Sequence, residues 1–291
     1  MTEKETLREK SRIFNLSSAT ADIMYNGSMN SSGMWTIPNF INHDENVQHV
    51  YFSVSHAEVP NSFYLINQYN NCLAITSGGS TTLLYLPYGN YNTLSLATAV
   101  KLLLPATYDI TYNTSKAKYT ITSTNTLVSF YISATSSTIS RIMGLSKTTD
   151  MIPALLSSIY SLEMPFVVNF LPTARLNLRS ASLQLENYHS NDQSNDVFLS
   201  LQNNSSQNAM ILYENKTLLK NHINLDNLSK IDIRITDDSN RNLDFNNSAW
   251  FLTIRIDVQY YPLVKTTNFS NIVKNNNKLL LEYLQTLAEE Q

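Results

Sequence analysis

Along much of its length the chain alternates apolar and polar residues with a period of two. Val50, Phe52 and Val54 alternate with Tyr51, Ser53 and Ser55. Ile231, Ile233 and Ile235 alternate with Asp232, Arg234 and Thr236, and Leu252, Ile254, Ile256 and Val258 with Thr253, Arg255 and Asp257. Such alternation predicts strands that bury one face of a sheet. Shorter runs at 63–66, 72–76, 81–85, 166–170, 197–201 and 210–213 read as further strands. Leu176 and Leu178 alternate in one phase and Leu183 and Leu185 in the other, so a bulge or bend is expected across residues 179–182. Turn clusters punctuate the strands at 67–71, Ser77-Gly-Gly-Ser80, 203–208 and Asp237-Asp-Ser-Asn240, with a polar loop over 188–195. Many short strands at close spacing predict a mainly β chain built as a sandwich or jelly roll.

One block breaks this rhythm. After Leu86-Pro-Tyr-Gly-Asn-Tyr-Asn-Thr-Leu94, the residues Leu96, Ala97, Val100, Leu103 and Leu104 fall on one face of a helix, capped by Asn92 or Thr93 and stopped by Pro105. Three strands follow, carried by Tyr108, Ile110 and Tyr112, by Tyr119 and Ile121, and by Val128, Phe130 and Ile132. A second short helix holds Ile139, Ile142 and Met143, with Ser136 or Ser137 as its cap and Gly144 as its left-handed C-terminal residue. With the run 83–86 in front, the order is β-α-β-β-β-α. The span 149–163 is ambiguous, a loop with a helical turn.

The expected organisation is therefore an N-terminal arm over 1–35, a first part of the roll over 36–84, an α+β insertion domain over 85–147, a second part of the roll over 148–262, and a tail with a terminal helix over 263–291. Thr2 and Glu5 have capping-box spacing, so a short helix is expected there. The rest of the arm, including Asn26-Gly-Ser-Met-Asn-Ser-Ser-Gly33, carries almost no periodic apolar signal. It is either a flexible terminus or a segment that orders on a neighbouring subunit.

Composition narrows the function. Charged residues are only 15% of the chain, against about 25% in an average soluble domain. Asn, Ser and Thr take their place, which favours strands and loops over long solvated helices. With 6 glycines, a glycine-rich phosphate cradle has no obvious home. The net charge of −3 and the absence of a Lys/Arg cluster argue against a nucleic-acid surface. A single Cys72 excludes an internal disulfide. The charged first ten residues do not read as a signal peptide, and no apolar run is long enough to span a bilayer, so folding in a reducing compartment is expected.

Candidate chemistry is sparse. His56 and Glu58 share one side of a strand, a possible acid/base pair next to Pro60. His43, His49, His56, His189 and His222 show no metal-ligand spacing. Asp237-Asp-Ser-Asn240 offers oxygens to Ca²⁺ but lacks the glycine and distal Glu of an EF-hand loop, and a hairpin turn wants the same residues. Cys72 beside Leu73 and Ala74 reads as a core thiol. Asp109, Glu186 and Asp257 are expected to face solvent. Trp35 and Trp250 suit either a sugar-stacking platform or core packing, with Trp250 opening a core strand. No catalytic, cofactor-binding or metal-binding residue is assigned, and no cofactor is expected.

The order of segments resembles that of the minor capsid (penton) proteins of virophages and of related Polinton-type and large DNA viruses. Four stretches carry the resemblance: Val59-Pro-Asn-Ser-Phe-Tyr-Leu-Ile-Asn67; Gly89-Asn-Tyr-Asn-Thr93 before a helix; Leu127-Val-Ser-Phe-Tyr-Ile-Ser133 with Ile142-Met-Gly-Leu145 behind it; and the run from Ile231 through Trp250 to Ile254. Each is loose, and their order over about 48–260 is the specific part. The resemblance implies a single jelly-roll β-sandwich with the α+β insert projecting from one end. It implies a homopentamer at the vertex of an icosahedral capsid, made in the host cytoplasm or virus factory and located in the virion. Its implied partners are copies of itself, neighbouring major capsid capsomers and other minor capsid proteins, without sequence-specific nucleic-acid binding. The competing readings are a jelly-roll lectin or fibre-type attachment module, with the insert as recognition head, and a jelly-roll enzyme such as a cupin, whose clustered His and Glu ligands are not found.

Overall fold

The computed structural model describes residues 8–25, 27–38, 47–171, 173–183, 195–217, 219–223, 228–261 and 278. In chain order the elements begin with β1 (Arg8–Ser17), β2 (Ile23–Met24), β3 (Ser32–Thr36), β4 (Val47–Pro60), β5 (Cys72–Ser77), β6 (Ser80–Tyr85) and α1 (Thr93–Leu103). Next come β7 (Tyr108–Asn113), β8 (Lys118–Ser123), β9 (Phe130–Ile132), α2 (Ser140–Met143), β10 (Ala154–Leu156) and β11 (Ile159–Glu163). The last are β12 (Arg175–Arg179), β13 (Val197–Gln202), β14 (Met210–Glu214), β15 (Asn221–Ile223), β16 (Lys230–Thr236) and β17 (Phe251–Tyr260). The protein is mainly β, as its alternation predicts, and its sheet pairings are antiparallel.

Two five-stranded sheets enclose the first core. One runs β1-β17-β4-β14, with β15 also paired to β4; the other runs β13-β12-β16-β3-β2. The alternating apolar residues of β4, β16 and β17 point between them: Phe52, Ile231, Ile233, Ile235, Ile254, Ile256 and Val258 are all buried. Phe52 of the first sheet meets Phe198 of the second edge to face, with ring centroids 5.2 Å apart, which ties the two layers together. The expected irregularity near Arg179 is present, as a register shift of β12 against β13 between Leu178 and Arg179.

A second core lies in sequence between β4 and β12. It is built by residues from Leu65 to Met164 around two small sheets, β6-β5-β9 and β10-β11-β8-β7, with α1 and α2. The element order from β6 to α2 is the predicted β-α-β-β-β-α. Asn92 is the cap of α1: its Oδ1 accepts from the Leu94 and Ser95 amides at 3.0 and 2.8 Å, and Ser95 Oγ accepts from the Asn92 amide at 2.9 Å. Tyr119 is fully buried and donates its hydroxyl to the Thr93 carbonyl at 2.6 Å, locking β8 to the start of α1.

Several expectations need correction. Residues 8–36 are not an unpatterned arm. β1 pairs with β17 over ten residues, and β3 pairs with β16. β1 escapes notice because it is held by its backbone ladder, while its first six side chains are exposed. The second core is wider than 85–147, since β5 and β6 pair with each other and with β9 instead of joining the larger sheets. The ambiguous span 149–163 is a hairpin, β10 and β11. Residues 63–66 and 166–170 are not strands. In the latter, Phe166, Val168 and Asn169 donate their amides to Gly144, Ala117 and Ile142 in turn, so the backbone bonds are shared between the end of α2 and the β7–β8 turn and no ladder forms. Ser137 does not cap α2; its hydroxyl accepts from the Ala74 amide at 3.0 Å, pinning the helix approach to β5. Apart from Lys278, the expected terminal helix lies outside the described residues, as does the helix start at Thr2.

Gly144 ends α2 as predicted, with φ 74° and its amide bonded to the Ser140 carbonyl. A Cβ there would lie 2.2 Å from the Phe166 carbonyl oxygen, a backbone atom that cannot swing away. Left-handed backbone alone costs a substituted residue about 1–2 kcal/mol. Gly144→Ala is expected to destabilise the second core by about 2 kcal/mol or more. A chemical-denaturation midpoint equal to wild type would contradict this.

Candidate interaction surfaces

The chemistry-bearing residues disperse over the structure. His56 and Glu58 do meet: His56 Nε2 lies 2.9 Å from Glu58 Oε1 on the outer face of β4, both side chains about two-fifths exposed. Among the described residues no third side chain is bonded to the pair, and the neighbours across the ladder are Thr253, Phe251, Leu212 and Glu214. His49 and His222 also meet, His49 Nδ1 lying 3.4 Å from His222 Nε2, with Tyr51 tilted against the His49 ring and edge to face with the His222 ring. His43, His189 and Glu186 lie outside the described residues. Among the described residues no cluster of three or more His, Cys, Asp or Glu side chains is placed to hold a metal ion.

Asp237-Asp-Ser-Asn240 is a turn. Asp237 Oδ1 accepts from the Ser239 and Arg241 amides at 2.8 and 2.9 Å, and Oδ2 takes the Arg241 Nε at 2.8 Å. Those bonds occupy the oxygens a cation would need. Cys72 is buried and burial pushes its thiol pKa up, opposite to what a nucleophile requires. Trp35 and Trp250 are both buried, edge to face at 5.5 Å, so they are core and not a platform. Asp109 is exposed and pairs with Lys101 at 3.2 Å.

Asp257 overturns the expectation of a solvent-facing carboxylate. It is fully buried on the side of β17 away from the core. Ser11 Oγ donates to it at 2.5 Å, Arg255 Nε at 2.7 Å, and Lys220 Nζ lies 2.5 Å from its other oxygen. Burial alone drives this carboxyl pKa up. The hydrogen bonds from Lys220, Ser11 and Arg255 outweigh that and hold it below the usual value. Asp232 behaves alike: burial raises its pKa, and bonds from Ser182, the Ala181 and Ser182 amides and Ser180 together lower it. A carboxylate whose folded pKa is depressed contributes stability above its unfolded pKa of about 3.9 and loses it as pH falls through the folded value. The unfolding midpoint is therefore expected to hold from pH 7 to about pH 5 and to fall below about pH 4, with Asp257→Asn flattening the fall. An acid limb of equal steepness in that variant would remove Asp257 from the account.

Two kinds of surface remain as interaction candidates. One is apolar. On the outer face of the first sheet Leu212 and Phe251 flank Glu58 across the ladder, exposed by 66% and 46%, with Met210 beyond them. On the second core the hairpin β10–β11 exposes Leu155, Leu156 and Ile159, with Ile152 just before it. The other is a cleft of about 250 Å³ between the two cores. Its walls include Tyr64, Tyr69, Tyr88 and Arg141 from the second core and the 237–244 turn from the first. Arg241 lies over the Tyr69 ring at 5.0 Å and bridges the two walls. Sequence reading recognises the turns at 67–71 and 237–240 separately. Nothing in the pattern says that two turns 170 residues apart face each other.

No family model matches the chain, and no curated protein matches it. Among solved structures it is similar to the crystal structure of the selenomethionine-labelled mavirus penton protein. The identity is 11% and the TM-score 0.45, over 86% of this chain and 99% of that one. No helix among the described residues is long and apolar enough to cross a membrane.

Proposed function

We propose that the protein is a structural minor capsid protein whose larger sheets form a single jelly roll, assembled five-fold at the vertex of an icosahedral virion. The observation that carries the reading is strand order. An eight-stranded jelly roll interleaves strands B-I-D-G in one sheet and C-H-E-F in the other. With β1 as B, β3 as C, β4 as D, β12 as E, β13 as F, β14 and β15 as G, β16 as H and β17 as I, the observed orders β1-β17-β4-β14 and β3-β16-β12-β13 follow that scheme strand for strand. The second core then falls between D and E, an excursion of one end of the roll. The four sequence stretches that resemble penton proteins run from the end of β4 through the second core to β16 and β17, and their order supports the reading.

A five-fold ring needs a heterologous interface, one patch of each copy meeting a different patch of the next, and specific recognition takes about 800 Å² per partner. The apolar side chains Leu212, Phe251 and Met210 supply the kind of surface that such contacts use. Further partners in the shell are neighbouring capsomers of the major capsid protein. Native mass spectrometry with sedimentation is the test. A five-copy species is expected, shifted toward monomer by Leu212→Asp with Phe251→Asp. A chain that stays monomeric across concentration and salt sinks the ring.

A further inference from the structure

The outer face of the first sheet brings two imidazoles together. His49 stands on β4 and His222 on β15, 173 positions away, so no spacing in the sequence reveals the pair. In the β4–β15 ladder His222 lies opposite Tyr51, which puts His49 on the neighbouring diagonal of the same face. Tyr51 packs on both rings, tilted against His49 at 6.0 Å and edge to face with His222 at 5.6 Å. Both imidazoles are half-buried. His49 Nδ1 faces His222 Nε2 across 3.4 Å. That gap is longer than the roughly 2.7–3.2 Å at which N–H donors settle on an acceptor. It matches the separation of two ligands on a tetrahedral metal ion. From a point about 2.1 Å from each nitrogen, the zinc–imidazole length, a gap of 3.4 Å subtends about 110°. The charges nearby compensate one another. Lys220 and Arg255 both pair with Asp257, at 2.5 and 2.7 Å, and Lys220 also approaches Glu9 at 3.5 Å. Gln259, opposite His49 on β17, is neutral. A cation seated between the rings therefore meets no uncompensated positive charge among these neighbours.

We propose that His49 Nδ1 and His222 Nε2 form a two-ligand site for a divalent transition-metal ion, with water in the remaining positions. Imidazole nitrogen selects Zn²⁺, Cu²⁺ and Ni²⁺ over Mg²⁺ and Ca²⁺, which take oxygen ligands. Each ring binds as the neutral imidazole, its proton on the nitrogen away from the metal: Nε2 of His49 and Nδ1 of His222. Two ligands hold a metal more weakly than the three or four of a zinc centre, so the ion exchanges freely. While bound, it fastens the three-residue strand β15 to β4. Acid competes for both nitrogens, so binding weakens as pH falls. The titratable and charged groups around the pair are Tyr51 on β4, Lys220 just ahead of β15, Arg255 and Asp257 on β17, and Glu9 on β1.

Titration calorimetry of the full chain with Cu²⁺, Zn²⁺ and Mg²⁺ at neutral pH tests this. Cu²⁺ is expected to bind more tightly than Zn²⁺, and Mg²⁺ not to bind at this pair. His49→Gln and His222→Gln are each expected to weaken Cu²⁺ and Zn²⁺ roughly tenfold or more, since even the outer partners of a metal ligand are worth about 10–100-fold. His56→Gln removes the imidazole paired with Glu58 on the same sheet and is expected to leave both affinities unchanged. At about pH 5 wild-type binding is expected to weaken by at least as much as in the Gln variants. Zn²⁺ is expected to raise the urea midpoint of wild type and to leave that of either Gln variant where it was. A further measurement needs no variant. Substoichiometric Cu²⁺ is expected to broaden the amide NMR signals of residues 49–51 and 221–223 ahead of those of 56–58. The proposal is overturned if neither Cu²⁺ nor Zn²⁺ binds below about 1 mM, if both Gln variants bind as tightly as wild type, or if the broadening centres elsewhere in the chain. None of these readings depends on ring assembly, so the metal pair and the capsid reading stand or fall separately.

Discussion

Trp250→Ala is expected to destabilise the first core by about 3–5 kcal/mol, at the upper end for a single large-to-small substitution. Trp250 is the largest fully buried side chain of the protein. Its ring packs edge to face on Trp35, a pairing worth about 0.5–1.5 kcal/mol beyond area burial. Its indole N–H donates to the Asn30 carbonyl at 2.8 Å, and its backbone amide donates to Ser18 Oγ at 3.1 Å. Asn30 in turn donates to Ser18 Oγ and to the Ser248 carbonyl. The substitution therefore opens a cavity and also leaves a buried carbonyl without its donor, which adds about 1–3 kcal/mol where water cannot enter. Both tryptophans of the chain belong to this core and none to the second. Trp35 emission during urea unfolding of the variant thus reports on the first core alone. A midpoint within error of wild type would show that the site collapses around the smaller residue. Trp250→Phe keeps most of the volume but not the N–H, so its cost isolates the bond to Asn30.

The same residues explain why the N-terminal segment shows no apolar periodicity. Ser17 Oγ, Ser18 and Asn30 are small polar residues, and in a sequence they signal a loop. In the structure they form the polar lid over Trp250, and the Trp35 indole donates to the Ser17 carbonyl at 3.2 Å. Gly33 is needed for a further reason: a Cβ there would lie 3.0 Å from both Ala21 Cβ and the Trp35 ring. Segments that pack by closeness of backbone instead of by apolar bulk carry no periodicity. The turn of the hairpin β10–β11 hides it in the sequence. Ser157 and Ser158 both have positive φ, 47° and 68°, the conformation that Gly78 and Gly79 adopt between β5 and β6. Glycines announce such a turn and serines do not. By contrast β16, β17, α1 and Gly144 are legible in the sequence because a single local rule settles each: alternation against one core, a side-chain cap, or a left-handed terminus.

Alternation assigns residues to the two faces of a sheet, but it does not say which faces are covered. On the second sheet the polar face is covered, and its buried charge carries the last large effect. Leu176 and Leu178 of β12 point into the shared core, so Asn177 and Arg179 lie on the opposite face, yet they are 0% and 1% exposed. Arg179 donates through Nε to Thr236 Oγ1 at 2.9 Å and through a terminal nitrogen to Asp196 Oδ1 at 2.7 Å. Arg234 approaches the other Asp196 oxygen at 3.4 Å, and Asn177 accepts from Ser200 at 2.8 Å. These bonds join β12, β13 and β16 and the residue just before β13, so the guanidinium fastens three neighbouring strands. Removing one partner of a buried pair costs about 3–5 kcal/mol, because the other charge stays where water cannot solvate it. Arg179→Ala is expected to cost that much. Asp196 is 22% exposed at its side chain and keeps Arg234, so Asp196→Asn is expected to cost less. The double variant Arg179→Met with Asp196→Leu removes both charges at similar volume and is expected to recover most of the loss, since an apolar replacement of a buried pair is often neutral. Urea midpoints for the single and double variants close the cycle. Additive costs would mean that Arg179 and Asp196 do not depend on each other, and the pair would then be packing and not a fastening.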